Sequence, residues 1–262
     1  MNAQGLGTLS FGPTRPTRLA DKVADQIRDS ILSGRLEDGG RLPPLDQMTT
    51  QFAVSTPTMR EALRILETEG LISVKRGGIG GAVVHRPTSR TAAYTLALVL
   101  RAEGTRKRDV GTALQLLEPL CATLCARRPD RAKEVVPELR RLNGAARALL
   151  DADGVAYNAA MLEFHDAVVR LAGNDTMAVV LRVLQDILLA EVEQWVAEAA
   201  ATGGYIAPER RIAEIETHDR IVDLIADGDG EAAAALMKDH FESLTIGPIF
   251  EADQRVDPKS VR

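Results

Sequence analysis

The sequence predicts a mainly α-helical protein, in which an N-terminal winged helix-turn-helix domain precedes an all-α helical bundle. Apolar residues recur at helical spacing through most of the chain, whereas residues 71–85 hold two short strand-like runs around a cluster of glycines. The length of 262 residues and the 45% hydrophobic content are enough for two domains with buried cores. We expect a flexible arm at residues 1–17, the winged domain at 18–87 and the bundle at 88–262.

A pair of helices joined by a tight turn is predicted near the N-terminus. The first covers Pro43–Phe52, Ala53 and Val54 form the turn, and the second starts at a hydroxyl N-cap. Apolar residues of the second helix fall on one face, so its polar N-terminal end is free to enter a DNA major groove. The candidate DNA-binding residues on this helix are Ser55, Thr56, Thr58, Arg60 and Arg64.

A hairpin is predicted after the second helix. The runs 71–76 and 82–85 contain strand-forming residues, and the glycines between them supply the turn. Lys75, Arg76 and Gly77 would lie at its tip, where a wing can contact the DNA backbone or minor groove. The pattern disfavours a nucleotide-binding phosphate loop, because no Gly-Lys-Ser/Thr sequence ends the run and a strand follows it.

Charge is distributed unevenly between the two predicted domains. The whole chain has a formal net charge of −5, which does not by itself indicate nucleic-acid binding. Residues 1–87 hold 11 Lys and Arg against 9 Asp and Glu, whereas residues 88–262 hold 21 against 28. The acidity therefore belongs to the bundle, and the predicted DNA-binding domain is mildly basic.

Nothing in the sequence predicts secretion or membrane insertion. Residues 1–17 lack the apolar segment of a signal peptide, and no later stretch reaches about 18 uninterrupted apolar residues. Cys121 and Cys125 lie four apart on one helical face, which suits neither a disulfide framework nor a zinc knuckle. We therefore expect buried thiols in a cytoplasmic protein with no membrane partner.

Beyond Pro87 the hydrophobic period stays close to that of an α-helix. Glycines and Pro129 divide this region into helices predicted at 89–102, 107–127, 130–150, 155–172, 175–201, 208–227 and 230–247. Three of the four histidines lie here, on largely apolar faces of separate helices: His165, His218 and His240. Imidazoles that converge in this way can bind a transition-metal ion, although histidines buried without a metal show the same pattern.

Two parts of the chain resemble the GntR family of transcription regulators. The run VADQIRDSILSGRLEDGGRLPPLDQMTTQFAVSTPTMREALRILETEGLISVKRGGIGGAVV is similar nearly end to end to the family's winged helix-turn-helix. The stretches LQLLEPLCATLCARR, EFHDAVVRLAGN and HDRIVDLIADGDGEAAAALMKDHF resemble the all-α effector domain, called FCD, of the FadR branch. This second resemblance extends from about Ala93 to Phe250, and it implies an effector-binding and dimerisation domain.

The resemblance implies DNA contacts at Arg60 in the recognition helix and at Gly77 in the wing. Two positions differ from many family members, which carry Arg where this chain has Asp46 and Thr56. Because Asp46 would repel phosphate and Thr56 offers only a hydroxyl, we expect weaker DNA binding than in those relatives.

The resemblance also implies a Zn²⁺ or Ni²⁺ site made by one Asp and three His. His165, His218 and His240 match the three His, whereas Met161 occupies the position of the Asp. A thioether is a poor replacement for a carboxylate with these ions, so we expect the metal to be bound weakly.

The function implied by the resemblance is that of a dimeric regulator whose two recognition helices read an inverted repeat in double-stranded DNA. In many relatives an Arg one turn before the Leu-Glu-Pro motif reaches a carboxylate effector, whereas this chain has Leu114 and Gln115 there. We expect a repressor that is released by a small molecule, a carboxylate metabolite. The pocket for this effector is predicted at Met161, Gln115 and Asn174.

Two other hypotheses stay open at this point. The bundle could serve for dimerisation alone, which would suit the loss of the family's Asp and Arg. Three histidines with an open metal position are also typical of hydrolytic zinc sites. Against an enzyme, Glu163 and Asp166 are the only nearby candidates for a general base, and catalysis would not account for the winged domain. We therefore predict that the protein is not an enzyme.

Overall fold

The computed structural model describes residues 19–74, 81–202, 206–243 and 254–261. The chain divides after Pro87 into two compact units, residues 1–87 and residues 88–262. The predicted arm and the wing-tip candidates Lys75, Arg76 and Gly77 lie outside the described residues.

The described part of the first unit, residues 19–74 and 81–87, contains three helices and a short hairpin. Its elements are α1 (Leu19–Leu32), α2 (Leu45–Phe52), α3 (Thr56–Thr68), β1 (Ile72–Ser73) and β2 (Val83–Val84). Helix α2 starts two residues later than predicted, because Pro44 has extended backbone (φ −53°, ψ 149°) at the N-cap. Helix α3 is capped as predicted, since Ser55 Oγ accepts the Thr58 backbone N–H at 3.3 Å.

An apolar core joins the helices of this unit. Val23, Ile27 and Ile31 on one face of α1 are buried against Met59 and Leu66 of α3. These residues recur every three to four positions, so each helix presents a single apolar stripe to the other. The polar start of α3 is consequently left at the surface.

The turn between α2 and α3 depends on Ala53, which lies in the left-handed region with φ +52° and ψ +44°. Its backbone N–H donates to the Thr50 carbonyl at 3.3 Å and so closes the end of α2. An L-residue with a Cβ loses about 1–2 kcal/mol in this conformation. The close approach of the two helices is therefore maintained against local backbone strain.

The hairpin is antiparallel, as predicted, with Ile72 opposite Val84 and Ser73 opposite Val83. Residues 40–42 lie along its other edge, where the Leu42 N–H donates to the Ala82 carbonyl at 2.8 Å. A Cβ at Gly81 would lie 2.4 Å from the Leu42 carbonyl oxygen, so this close backbone contact requires glycine.

The second unit is an all-α bundle. Its helices are α4 (Ser89–Ala102), α5 (Lys107–Arg127), α6 (Arg131–Glu134), α7 (Val136–Arg147), α8 (Gly154–Leu171), α9 (Asp175–Ala201), α10 (Pro208–Asp227) and α11 (Gly230–Ser243), with a 3₁₀ helix at Pro258–Val261. The last four residues of the helix predicted at 230–247 lie outside the described residues.

One predicted helix, at residues 130–150, is wrong because the structure divides it into α6 and α7. The break falls at Val135, which has φ −97° and ψ −59°. Pro137 lies in the first turn of α7, where a missing N–H is tolerated, but it cannot donate to the carbonyl of Lys133 in a continuous helix.

The core of the bundle includes the two cysteines. Cys121 and Cys125 are free and fully buried on α5, as the sequence predicted. Burial raises the pKa of each thiol to about 12.

Among the described helices, none has the length and apolar character required to cross a membrane.

Helices α5 and α11 approach each other closely near the start of α11. Thr123 Oγ1 donates to the Gly230 carbonyl at 2.8 Å. A Cβ at Gly230 would lie 3.1 Å from Thr123 Cα, which is tighter than ordinary van der Waals contact. Glycine at this position therefore sets the spacing between the two helices.

Candidate DNA interface and metal centre

The outer face of α3 carries the candidate DNA contacts. Arg60 is exposed and makes no ion pair with any described residue. Arg64 Nη1 lies 2.7 Å from Glu61 Oε2, but both side chains are largely exposed, and such surface pairs contribute little stability. Both guanidinium groups are therefore accessible to an approaching phosphate or base edge.

The hydroxyl groups at the start of α3 have a structural role in the free protein. Ser55 Oγ and Thr58 Oγ1 lie 2.8 Å apart, and the Ser55 oxygen also caps the helix. Thr56 is exposed. The predicted DNA contacts at these three residues are thus placed at one helix end, whose N–H groups favour anions.

Asp46 lies in the first turn of α2 with an exposed side chain that has no ion-pair partner among the described residues. Its carbonyl oxygen accepts bonds from the hydroxyls of Thr49 and Thr50, at 2.8 Å and 2.9 Å. Those bonds involve only the backbone of Asp46, so its carboxylate remains available to repel phosphate.

Three helices of the bundle bring the predicted histidines together. His165 from α8, His218 from α10 and His240 from α11 are all buried. His218 Nε2 lies 3.0 Å from His240 Nε2, which lies 3.3 Å from His165 Nε2. The candidate ligand atoms of the three residues are all within 4.8 Å of one another. We refer to them as the three-His cluster.

A buried carboxylate orients one of these rings. Glu118 on α5 accepts a hydrogen bond from His165 Nδ1 at 2.6 Å, and both residues are buried. A ring that donates from Nδ1 keeps the lone pair of Nε2, the atom that points into the cluster. His218 is held differently, with its ring stacked on Phe164 at a centroid distance of 3.9 Å.

Burial keeps two of the imidazoles uncharged. It lowers the pKa of His218 well below 6.5, and the nearby His240 and His165 lower it further. It also lowers the pKa of His240 to about 3, with a smaller contribution from His165. Neutral imidazole is the form that binds a metal ion.

Two of the three separations in the cluster fit a single transition-metal ion. Two imidazole nitrogens at about 2.0–2.1 Å from one ion lie roughly 2.9–3.4 Å apart for bond angles between about 90° and 110°. The separations of 3.0 Å and 3.3 Å fall within that interval. Imidazole donors suit Zn²⁺ and Ni²⁺, so the side chains present fit the metal that the sequence predicted.

Met161 does not replace the missing carboxylate. It is 7% exposed and packs in an apolar cluster with Tyr157 and Ile215. A thioether is uncharged, so it cannot supply the negative charge of a carboxylate ligand.

A cavity of about 380 Å³ opens beside His165. It is enclosed by α5, α8, α9 and Phe241 of α11, and half of its lining residues are apolar. The lining residues are Leu114, Glu118, Ala159, Leu162, Glu163, His165, Asp166, Arg182, Gln185, Asp186, Leu188, Leu189, Val192 and Phe241. Its size is typical of a site for a small ligand.

None of the three residues of the effector pocket predicted from the sequence lines this cavity. Met161 faces the apolar cluster described above. Asn174 is exposed and caps α9, since its Oδ1 accepts the Met177 N–H at 3.0 Å. Gln115 is half-buried, and the neighbouring Leu114 borders the cavity in its place.

The charged groups of the cavity are mostly carboxylates. Arg182 Nη2 is bonded to Asp166 Oδ1 at 2.8 Å, so the lining offers no unpaired Arg or Lys. Glu118 is bonded to His165. Asp186 Oδ2 is buried and has no hydrogen-bond partner among the described residues, which makes it a candidate acceptor for a ligand.

Sequence reasoning missed the role of Glu118 and most of the cavity. In the sequence, Glu118 stands out only as the Glu of the Leu-Glu-Pro motif. A buried acidic residue on the apolar face of α5 was the available signal, because a charge at such a position needs a partner. No comparable sequence pattern indicates Asp186, the carboxylate that α9 contributes to the cavity.

Each of the two units matches the profile of a known protein family. The profile of the FCD domain matches residues 109–243, and that of bacterial regulatory proteins of the gntR family matches residues 19–83. The first match alone covers more than half of the chain.

Similar proteins include named transcription regulators. The HTH-type transcriptional regulator Mce2R of Mycobacterium tuberculosis is 26% identical over 244 residues, covering 89% of this chain and 93% of that protein. The Uxu operon regulator of Haemophilus influenzae is 26% identical over 246 residues, covering 92% and 85%. A GntR structure from Streptococcus agalactiae shares the fold, with a TM-score of 0.59, 22% identity and coverage of 86% and 97%. The chain belongs to the GntR family of bacterial regulatory proteins, as a DNA-binding transcription regulator with an FCD domain and not an enzyme.

Proposed function

We propose that the protein is a repressor that binds an inverted-repeat operator as a homodimer and leaves it when a small molecule occupies the helical domain. The observation that carries this proposal is the cavity bordered by His165, in the domain that also holds the three-His cluster. A ligand in the cavity touches four helices, α5, α8, α9 and α11. Its binding can therefore change how these helices pack.

On DNA, α3 enters the major groove in this proposal. Arg60 contacts base edges, and Arg64 and Thr56 contact phosphates. The wing residues Lys75, Arg76 and Gly77 contact the backbone. A two-fold dimer presents two copies of α3, which suits an operator made of two inverted half-sites.

In the helical domain, His165, His218 and His240 hold Zn²⁺ or Ni²⁺. Glu118 orients the His165 ring through the hydrogen bond from Nδ1. The bound ion would supply positive charge and a coordination position for an oxygen of a carboxylate effector. Among the residues that line the cavity, the other positive charge is that of Arg182, whose partly exposed side chain is paired with Asp166. We infer that the effector also carries a hydroxyl or amine that donates to Asp186 Oδ2, whose burial favours such a bond.

The test measures release from operator DNA. Genome-wide footprinting supplies the operator, and fluorescence anisotropy follows its release during titration with a panel of small carboxylates. We expect release by a member of the panel from Zn²⁺-loaded protein and not from protein treated with a chelator. Leu189→Trp, which fills the cavity, should bind DNA normally but respond weakly. Ile212→Trp, at an exposed position of α10, is the matched control. Normal DNA binding with no release in any arm would instead support a DNA-binding dimer that lacks an effector.

A further inference from the structure

Glu214 is a buried carboxylate one helical turn before His218. It lies on α10 and is 6% exposed. Residues four apart on a helix share one face, so the side chains of Glu214 and His218 project in the same direction. On α8 the residue four positions before His165 is Met161, which is not a carboxylate. On α10 the residue four positions before His218 is a carboxylate, Glu214.

Only one oxygen of Glu214 is hydrogen-bonded. Glu214 Oε2 accepts the hydroxyl of Tyr157 at 3.1 Å. Glu214 Oε1 is buried and has no hydrogen-bond partner among the described residues, although it forms a long ion pair with Arg210, whose Nε is 3.9 Å away. The guanidinium of Arg211 is bonded to the carbonyls of Leu150, Ala152 and Ile206. A buried carboxylate oxygen without a hydrogen-bond donor is costly, and in a folded protein it calls for a ligand or an ion.

The surroundings link Glu214 to the three-His cluster. Glu214 and His218 are buried one turn apart on the same face of α10, so the carboxylate lies on the side of this helix that faces the cluster. Burial raises the pKa of Glu214, and the hydrogen bond from Tyr157 opposes this increase. Tyr157, which bonds Glu214, packs with Met161 one turn before His165. The Tyr157–Glu214 pair thus lies beside the position that the family fills with Asp.

We propose that Glu214 supplies the anionic ligand of the metal centre that Met161 cannot supply. The proposal rests on the metal site of the proposed function. Among the His, Cys, Asp and Glu residues that the structure describes, the atoms within 4.8 Å of one another come from the three histidines, so ligation requires Glu214 to change rotamer. A glutamate has one more methylene than an aspartate, which extends the reach of its carboxylate. Glu214 Oε1 then joins the three Nε2 atoms, and the ion gains the oxygen donor and negative charge that neutral imidazoles do not provide.

The test compares Zn²⁺ affinities by competition with a chromogenic chelator, using the full chain. The variants are Glu214→Gln, Met161→Asp, the double variant and the exposed control Glu216→Gln on the same helix. We expect Glu214→Gln to weaken Zn²⁺ binding at least about tenfold, since loss of a ligand should exceed the loss of a supporting residue. Glu216→Gln should bind as the wild type does. Met161→Asp in the Glu214→Gln background should restore affinity to within a few-fold of wild type.

The size of the gain from Met161→Asp in the two backgrounds distinguishes a ligand from a structural role. If Glu214 is the anionic ligand, Met161→Asp should raise Zn²⁺ affinity much more in the Glu214→Gln background than in the wild type. Equal gains in both backgrounds would mean that Glu214 only holds Tyr157, and the proposal would be overturned. Equal, measurable affinity in the wild type and Glu214→Gln also overturns it, while leaving the three-His metal site intact. Absence of Zn²⁺ binding in every variant overturns both this inference and the metal site on which it rests. Melting temperatures of the metal-free proteins identify any variant that has lost its fold.

Discussion

His165 Nδ1 lies 2.6 Å from Glu118 Oε1, although the two residues are 47 positions apart and come from different helices. The contact directs the free lone pair of His165 towards His240. It also neutralises part of the electrostatic cost of burying Glu118. Each of these buried polar side chains therefore supplies the hydrogen-bond partner that the other needs in the protein interior.

Glu118→Gln should weaken Zn²⁺ binding by about 10–100-fold, because the carboxylate fixes the His165 tautomer and raises its basicity. Chelator competition measures the change, and far-UV circular dichroism checks the fold. Glu163→Gln, at an exposed position on the same cavity, is the control and should leave Zn²⁺ affinity unchanged. Unaltered Zn²⁺ affinity in Glu118→Gln would show that the contact has no part in metal binding.

Arg60→Ala should reduce operator affinity by roughly 1–3 kcal/mol if Arg60 contacts a base edge. Lys75→Ala or Arg76→Ala should weaken operator and random DNA alike, and each should lower the slope of log K against log salt by about one. Anisotropy titrations at several salt concentrations separate these effects. Wild-type operator affinity in Arg60→Ala would mean that α3 is not the recognition helix.

Asp46→Arg should strengthen binding to operator and random DNA to a similar degree. The change removes a repulsive carboxylate and adds a phosphate contact, and phosphate contacts do not depend on sequence. Asp46→Asn serves as the control, with a smaller gain because it only removes the charge. If neither substitution changes either titration, Asp46 faces solvent in the complex.

Cys121 and Cys125 should react slowly with a thiol reagent in the folded protein. Burial raises the pKa of both to about 12, and the thiolate is the reactive form, so few thiolates exist at pH 8. Ellman's reagent should label both thiols promptly in guanidinium chloride. Equally rapid labelling without denaturant would indicate that α5 opens readily.

Local signals explain where sequence reasoning succeeded. Helix α9 runs from Asp175 to Ala201 as predicted, because Asn174 caps its start. Helix α10 ends at Asp227 as predicted, because Gly228 adopts φ +81° after it. The break at Val135 was also local, and the proline two residues later was its available signal.

Contacts between distant parts of the chain explain where it failed. The carboxylates of the cavity come from α5, α8 and α9, and no periodicity relates residues on separate helices. The convergence of the three histidines was suggested by the family resemblance, whereas their distances depend on the packing of α8, α10 and α11.

The close contact between α5 and α11 at Gly230 also affects how metal affinity can differ between variants of this protein. Helix α5 carries Glu118 and α11 carries His240, and the hydrogen that replaces a side chain at Gly230 lets these helices approach at Thr123. An alanine at 230 would press on Thr123 and shift it by a few tenths of an ångström, although none of the metal-binding side chains would change. Natural or selected variation in metal binding can therefore arise about three turns from His240, at a position that a comparison of ligand residues alone would overlook.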